Sequence, residues 1–143
     1  MWIIYALSAS IVWALDYVLA ERFFKAHISP LSFLALQTLV AAILLVPLAA
    51  FRGLFVEMRT AVALQMSWWQ IPVALIGFAA GNYLIACAIQ AKNAALASII
   101  EISYPLPIVI FSIILLGTSH LNAGTIVGGV LILSGVVVVY MFS

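Results

Sequence analysis

Five long apolar stretches dominate the chain and leave few folds open to it. They run from Trp2 to about Leu19, about Leu31 to Leu48, Ile71 to Ile89, Ala94 to Leu116 and Ala123 to Phe142. Each approaches the roughly 20 mostly apolar residues that a helix needs to cross the hydrocarbon core of a bilayer. Only nine of the 143 residues are charged, five of them Lys or Arg and four Asp or Glu. A soluble domain carries roughly a quarter charged residues, because water must wet its surface. Water therefore cannot be the solvent for most of this surface, and a mean hydropathy of +1.35 says the same. A spanning β-barrel would alternate polar and apolar residues in short segments. Unbroken runs instead predict helices, which satisfy their own backbone hydrogen bonds. The expected fold class is an all-α membrane protein with five transmembrane helices, in one domain over residues 1–143.

Several alternatives fall away with the charge. A formal net charge of +1 offers no basic face, so nucleic acid is not an expected partner. The lone Cys87 lies in an apolar run and reads as a small packing residue. No Lys or Arg precedes the first run, which therefore reads as a retained span and not as a cleavable signal peptide.

The connections differ in character. Glu21, Arg22, Lys25 and His27 mark a short polar turn, after which Ser29-Pro30 opens the second helix, where proline is harmless. The longest connection, Ala49 to Ser67, spreads Arg52, Gly53, Glu57 and Arg59 among apolar residues and reads as an interfacial segment with a short surface helix. Trp68 and Trp69 follow at the level of an aromatic belt. Gln90 to Asn93 and Gly117 to Asn122 form the remaining turns. With five spans, Arg22, Lys25 and Lys92 face one side and Arg52 and Arg59 the other. The positive-inside rule needs an excess, and this is nearly a draw. Dual topology, with two opposed copies forming an inverted pair, is one expectation; a single orientation set by Arg22 and Lys25 is the other.

Two ionisable residues lie inside spans, where they are costly and mark functional sites. Asp16 stands about 9 Å along its helix from Arg22, and Glu101 about 13 Å from Lys92, at 1.5 Å per residue. Both distances run from the same membrane face, so the two carboxylates sit at similar depth and could line one cavity as proton or cation sites. The alternative for each is structural, with Asp16 close enough to a helix end to snorkel toward water. Around Glu101 the surroundings favour function. Pro105 has no amide hydrogen for the Glu101 carbonyl, and Pro107 none for that of Ser103, so the prolines predict a kink with two freed carbonyls. Such backbone is tolerated where it lines a polar cavity. Trp13 and Tyr104, each within one turn of a carboxylate, are the first candidates for a solute pocket, joined by Ser103, Asn82 and Tyr83; Gln37 is a further polar group at span depth. Such residues also simply bond between helices. Gly77 and Gly81, Gly124 and Gly128, then Gly129, Ser134 and Gly135, mark faces where helix backbones approach, within the chain or between copies.

This pattern resembles the drug/metabolite transporter superfamily, and specifically one EamA-type half. The resemblance covers nearly the whole chain. It rests on Trp13 followed by a small residue, on Ile28-Ser29-Pro30-Leu31, on Pro105, and on Gly124-Thr125-Ile126-Val127-Gly128 with Leu131-Ile132-Leu133-Ser134-Gly135-Val136. It implies one half of an inverted-repeat transporter, which as a five-helix unit would pair into a homodimer. It further implies export of small organic metabolites, amino acids or drugs, often in exchange for protons, across the inner or plasma membrane. Two departures stand out. The family often has Trp-Gly where this chain has Trp13-Ala14, and Gly-Glu between the last two spans where it reads Gly117-Thr118-Ser119-His120. Whatever that glutamate does in relatives cannot be carried over.

The expected function is an antiparallel homodimeric transporter of a small organic solute. A subunit of a lipid-linked sugar flippase and a non-transporting membrane scaffold remain open as alternatives. No nucleophile–base pair or metal-ligand cluster appears, and His27 and His120 both fall in turns, so neither an enzyme nor a cofactor or metal is expected.

Overall fold

A computed structural model describes residues 1–53, 56, 59–60, 69–117 and 122–142. Among the described residues the regular secondary structure is all helix, joined by short turns. The helices whose bounds lie among the described residues are, in order, α1 (Trp2–Lys25), α2 (Pro30–Phe51), α3 (Gln70–Ala91), α4 (Ala94–Glu101), α5 (Pro105–Leu116) and α6 (Ala123–Phe142). The α4–α5 pair acts as one bent span, so five helical stretches are long and apolar enough to cross a membrane. The chain is a multi-pass membrane protein. Most of the interfacial segment expected between 49 and 67, Glu57 with it, lies outside the described residues, as do Trp68, Thr118, Ser119 and His120.

The first polar turn is shorter than its composition suggests. Glu21, Arg22 and Lys25 belong to the last turns of α1 and not to the connection. Two effects carry the helix through them. Basic side chains near a helix C-terminus meet its negative end, and Lys25 Nζ reaches Glu21 Oε1, one turn back, at 2.6 Å. The chain then reverses at His27, whose φ of 65° is left-handed. Its amide donates to the Phe24 carbonyl and that of Ile28 to the Phe23 carbonyl, the pairing of a Schellman C-cap. Ser29 opens α2 as expected, its Oγ accepting the Ser32 amide at 3.1 Å with Pro30 behind it. Between α3 and α4 only Lys92 and Asn93 remain outside helix, and the Asn93 Oδ1 accepts the Leu96 amide at 2.8 Å.

The fourth span breaks at Ile102 to Tyr104, where the prolines predict a kink. The two carbonyls expected to be freed are nevertheless occupied. The Glu101 oxygen accepts the Tyr104 amide at 2.9 Å, and the Ser103 oxygen accepts the Leu106 amide at 3.2 Å. The chain tightens to bonds three residues apart and so recovers the partners that proline cannot supply.

The packed centre is small and sits at one end of the bundle. Ala20 and Phe24 from α1, Ala86 and Ile89 from α3, and Ala94 and Ala97 from α4 are buried together, with Phe33 and Leu34 of α2 against them. Four of the six are alanines, which let helix axes approach. Glu21 pins this end, its Oε2 accepting the Ala94 amide at the start of α4 at 2.7 Å. Toward the opposite face the helices separate, and among the described residues none on α5 or α6 is buried.

Candidate functional site

The separation of the helices leaves two clefts that meet on α1. Trp13 and Tyr17 stand one turn apart there, their rings edge to face at 5.7 Å between centroids. On one side, a cleft of about 640 Å³ runs between α1, α4 and α6. On the other, a cleft of about 600 Å³ runs between α1 and α3. Trp13, Tyr17, Glu101 and Tyr104 line both. The junction is tied by one hydrogen bond: the Tyr17 hydroxyl donates to Glu101 Oε2 at 2.7 Å, joining α1 to the last residue of α4. Among the described residues nothing hydrogen-bonds Glu101 Oε1.

Asp16 has different surroundings. Adjacent residues on a helix point about 100° apart, so Tyr17 faces α4 while Asp16 faces α2. There the Gln37 side-chain amide donates to both carboxylate oxygens, at 2.9 and 3.0 Å. Asp16, Gln37 and Asn82 line a narrow pocket of about 10 Å³, room for roughly one water. The two carboxylates therefore do not share one of these cavities. Trp13 and Tyr17, which line all three, stand between them.

The other site candidates scatter. Asn82 lines both the α1–α3 cleft and the Asp16 pocket, while its Nδ2 donates to the Phe78 carbonyl at 2.8 Å. Ser103 and Tyr83 line none of the three cavities. Tyr17, which the sequence reading does not single out, is central. It satisfies the same test as Trp13, being within one turn of a carboxylate, but only tertiary contact reveals that its partner is Glu101.

The glycines divide in the same way. A Cβ added at Gly77, Gly81, Gly128 or Gly135 would meet nothing within 4 Å, so these residues do not draw helices together inside the chain. Gly77 and Gly81 instead form part of the α1–α3 cleft wall, and Gly135 part of the other. At Gly124 the nearest contact is the local Asn122 Oδ1 at 3.2 Å. Close approach between helices occurs at Gly129, where an added Cβ would come within 3.2 Å of Leu106 on α5.

No curated protein and no solved structure gives a significant match to the chain. The family model of the EamA-like transporter family matches residues 1–141. Five apolar helices around a carboxylate-bearing cleft agree with that match, and the chain belongs to the EamA-like transporter family.

Proposed function

We propose that the chain moves a small organic metabolite or drug outward across the inner or plasma membrane, linked to protons and working as an antiparallel homodimer. The observation that carries this reading is the position of Glu101. Its carboxylate stands at the junction of two clefts of ligand-sized volume, half-buried, with one oxygen held by Tyr17. An ionisable group at that depth is retained at a cost that solute or proton exchange explains. Glu101 is the main coupling group. Asp16 is the second, in a pocket large enough for a water to bring it a proton. Trp13 and Tyr104 shape the solute pocket with Asn82, and the break before Pro105 and Pro107 supplies a hinge beside Glu101. Ser103 and Tyr83 would reach solute only after movement of this hinge or from a second copy.

The pairing of copies is supported by the bareness of α5 and α6 and by the near balance of Lys and Arg between the two faces. Export and proton linkage are what the resemblance to the drug/metabolite transporter superfamily implies, while the family match itself supports transport. Replacing Glu101 by Gln preserves size and removes the charge. In proteoliposomes carrying a pH gradient, this variant should lose gradient-driven flux while eluting from size exclusion like the parent. Flux that persists unchanged in Glu101→Gln would refute the assignment.

A further inference from the structure

We propose that the narrow pocket at Asp16 is a site for a sodium ion, held by the Asp16 carboxylate and the side-chain amide oxygens of Gln37 and Asn82. The ion takes the place of the water that the pocket admits. The site's physiological meaning rests on the transporter reading, to which it adds a second coupling ion beside the proton.

The ligand chemistry is that of a small, hard cation, which carboxylate and carbonyl oxygens suit. Asp16 on α1, Gln37 on α2 and Asn82 on α3 converge on a space of about 10 Å³. Among the described residues no Lys or Arg lines it, so the carboxylate has only a neutral partner, the Gln37 amide. A carboxylate withdrawn from water needs compensating charge. Both amides can present oxygen to an ion that supplies it. Asn82 ties its Nδ2 to the Phe78 carbonyl, which leaves Oδ1 as the group of its amide open to a ligand. Half a turn of the Gln37 amide exchanges nitrogen for oxygen with almost no change of shape. An amide oxygen turned toward a carboxylate is repelled by it, and a cation between the two reverses the sign.

Valence and size narrow the choice. One carboxylate neutralises one charge and no second carboxylate lines the pocket among the described residues, so a divalent ion would keep a net charge inside the membrane. Potassium needs a wider shell with more donors than one carboxylate and two amides supply. An organic cation exceeds a volume that holds roughly one water. Trp13, Tyr17, Asn82 and Ile85 line both this pocket and the α1–α3 cleft, which gives the ion its way in.

The test measures binding of radiolabelled sodium to the full-length protein in detergent, with N-methylglucamine chloride holding the ionic strength constant. Binding should saturate, and potassium should compete at least tenfold more weakly than unlabelled sodium. Asp16→Asn should abolish it, Asn82→Leu should weaken it several-fold, and Glu101→Gln should leave it in place. Labelling of the parent protein with dicyclohexylcarbodiimide, which reacts with carboxyl groups within membranes, locates the site even where a variant does not fold. Read by mass spectrometry, sodium should slow modification of Asp16 and leave that of Glu101 unchanged. Absence of saturable sodium binding, equal competition by potassium, binding that persists in Asp16→Asn, or protection of Glu101 in place of Asp16 overturns the proposal. Flux in proteoliposomes separates the two readings. Sodium binding without flux of any solute defeats the transporter reading alone, whereas solute flux without sodium binding defeats the sodium site alone.

Discussion

Asp16 and Tyr17 are neighbours in the chain yet serve different helices, and their partners give them different vulnerabilities. Asp16 accepts two hydrogen bonds from one Gln37 amide. Removing a donor from a half-buried acceptor costs more than the bond itself, because the acceptor is then stranded away from water. Gln37→Leu should therefore destabilise the protein by about 1–3 kcal/mol, measured by SDS titration in mixed micelles. Adding Asp16→Leu to that variant should restore most of the loss, since neither polar group then remains. If Asp16 is a coupling group, the double variant regains stability and stays inactive in transport. Full transport by the double variant would leave Asp16 a purely structural role. That Asp16 and Glu101 are exceptional is legible from sequence, because a carboxyl group inside an apolar run needs no fold to be conspicuous. That Gln37 answers one and Tyr17 the other is not, because neither spacing nor depth specifies the neighbour a helix face meets.

At the scale of elements, lipid removes the hydrophobic drive between helices and leaves close packing to hold them. The end of the bundle where α1, α3 and α4 meet depends on small side chains, and Ala20 is only 2% exposed there. Enlarging it to Leu forces the axes apart and should cost about 1–3 kcal/mol, read by the same SDS titration. Ala41, on an exposed stretch of α2, should accept the same change without measurable effect. Equal tolerance at both positions would show that this packed centre does not hold the helices. The glycine pattern illustrates the limit of reading elements from spacing. Gly77 and Gly81 have the four-residue separation of a helix contact, but their open side faces a cleft, whereas Gly129 makes the contact. The proline break was readable to within a turn because lost amides are a local matter. The rescue of the Glu101 and Ser103 carbonyls by tighter bonds depends on how the backbone relaxes around them.

For the whole molecule, the deciding quantity is the near balance of positive charge. Arg22, Lys25 and Lys92 oppose Arg52 and Arg59, a difference of one charge, which gives insertion little direction. Reporters that work on only one side of the membrane, fused in turn to the Met1 and Ser143 ends, should each register on both sides if copies insert in opposite orientations. Activity confined to one side for each fusion would rule out the antiparallel pair. Moving the bias by two charges, through Arg52→Ala with Arg59→Ala, should then collapse the signal to one orientation. The bareness of α5 and α6 gives such a pair its surface, since their exposed faces are free to meet lipid or a second copy.

The amino-acid sequence alone determined that this is a helical membrane protein with five spans, a break near Pro105 and two intramembrane carboxyl groups. Each of these follows from local physics: the length of apolar runs against the thickness of a bilayer, the missing amide of proline, and the cost of charge in lipid. Only the tertiary structure decided that Glu101 opens onto two clefts while Asp16 faces a narrow pocket with Gln37. Depth along a helix can be counted at a fixed rise per residue. Direction around its axis acquires meaning only when neighbouring helices are in place. Chemistry in this protein is decided by that direction, because one residue's step around α1 separates the carboxylate bound to an amide from the tyrosine that holds the other carboxylate at the clefts.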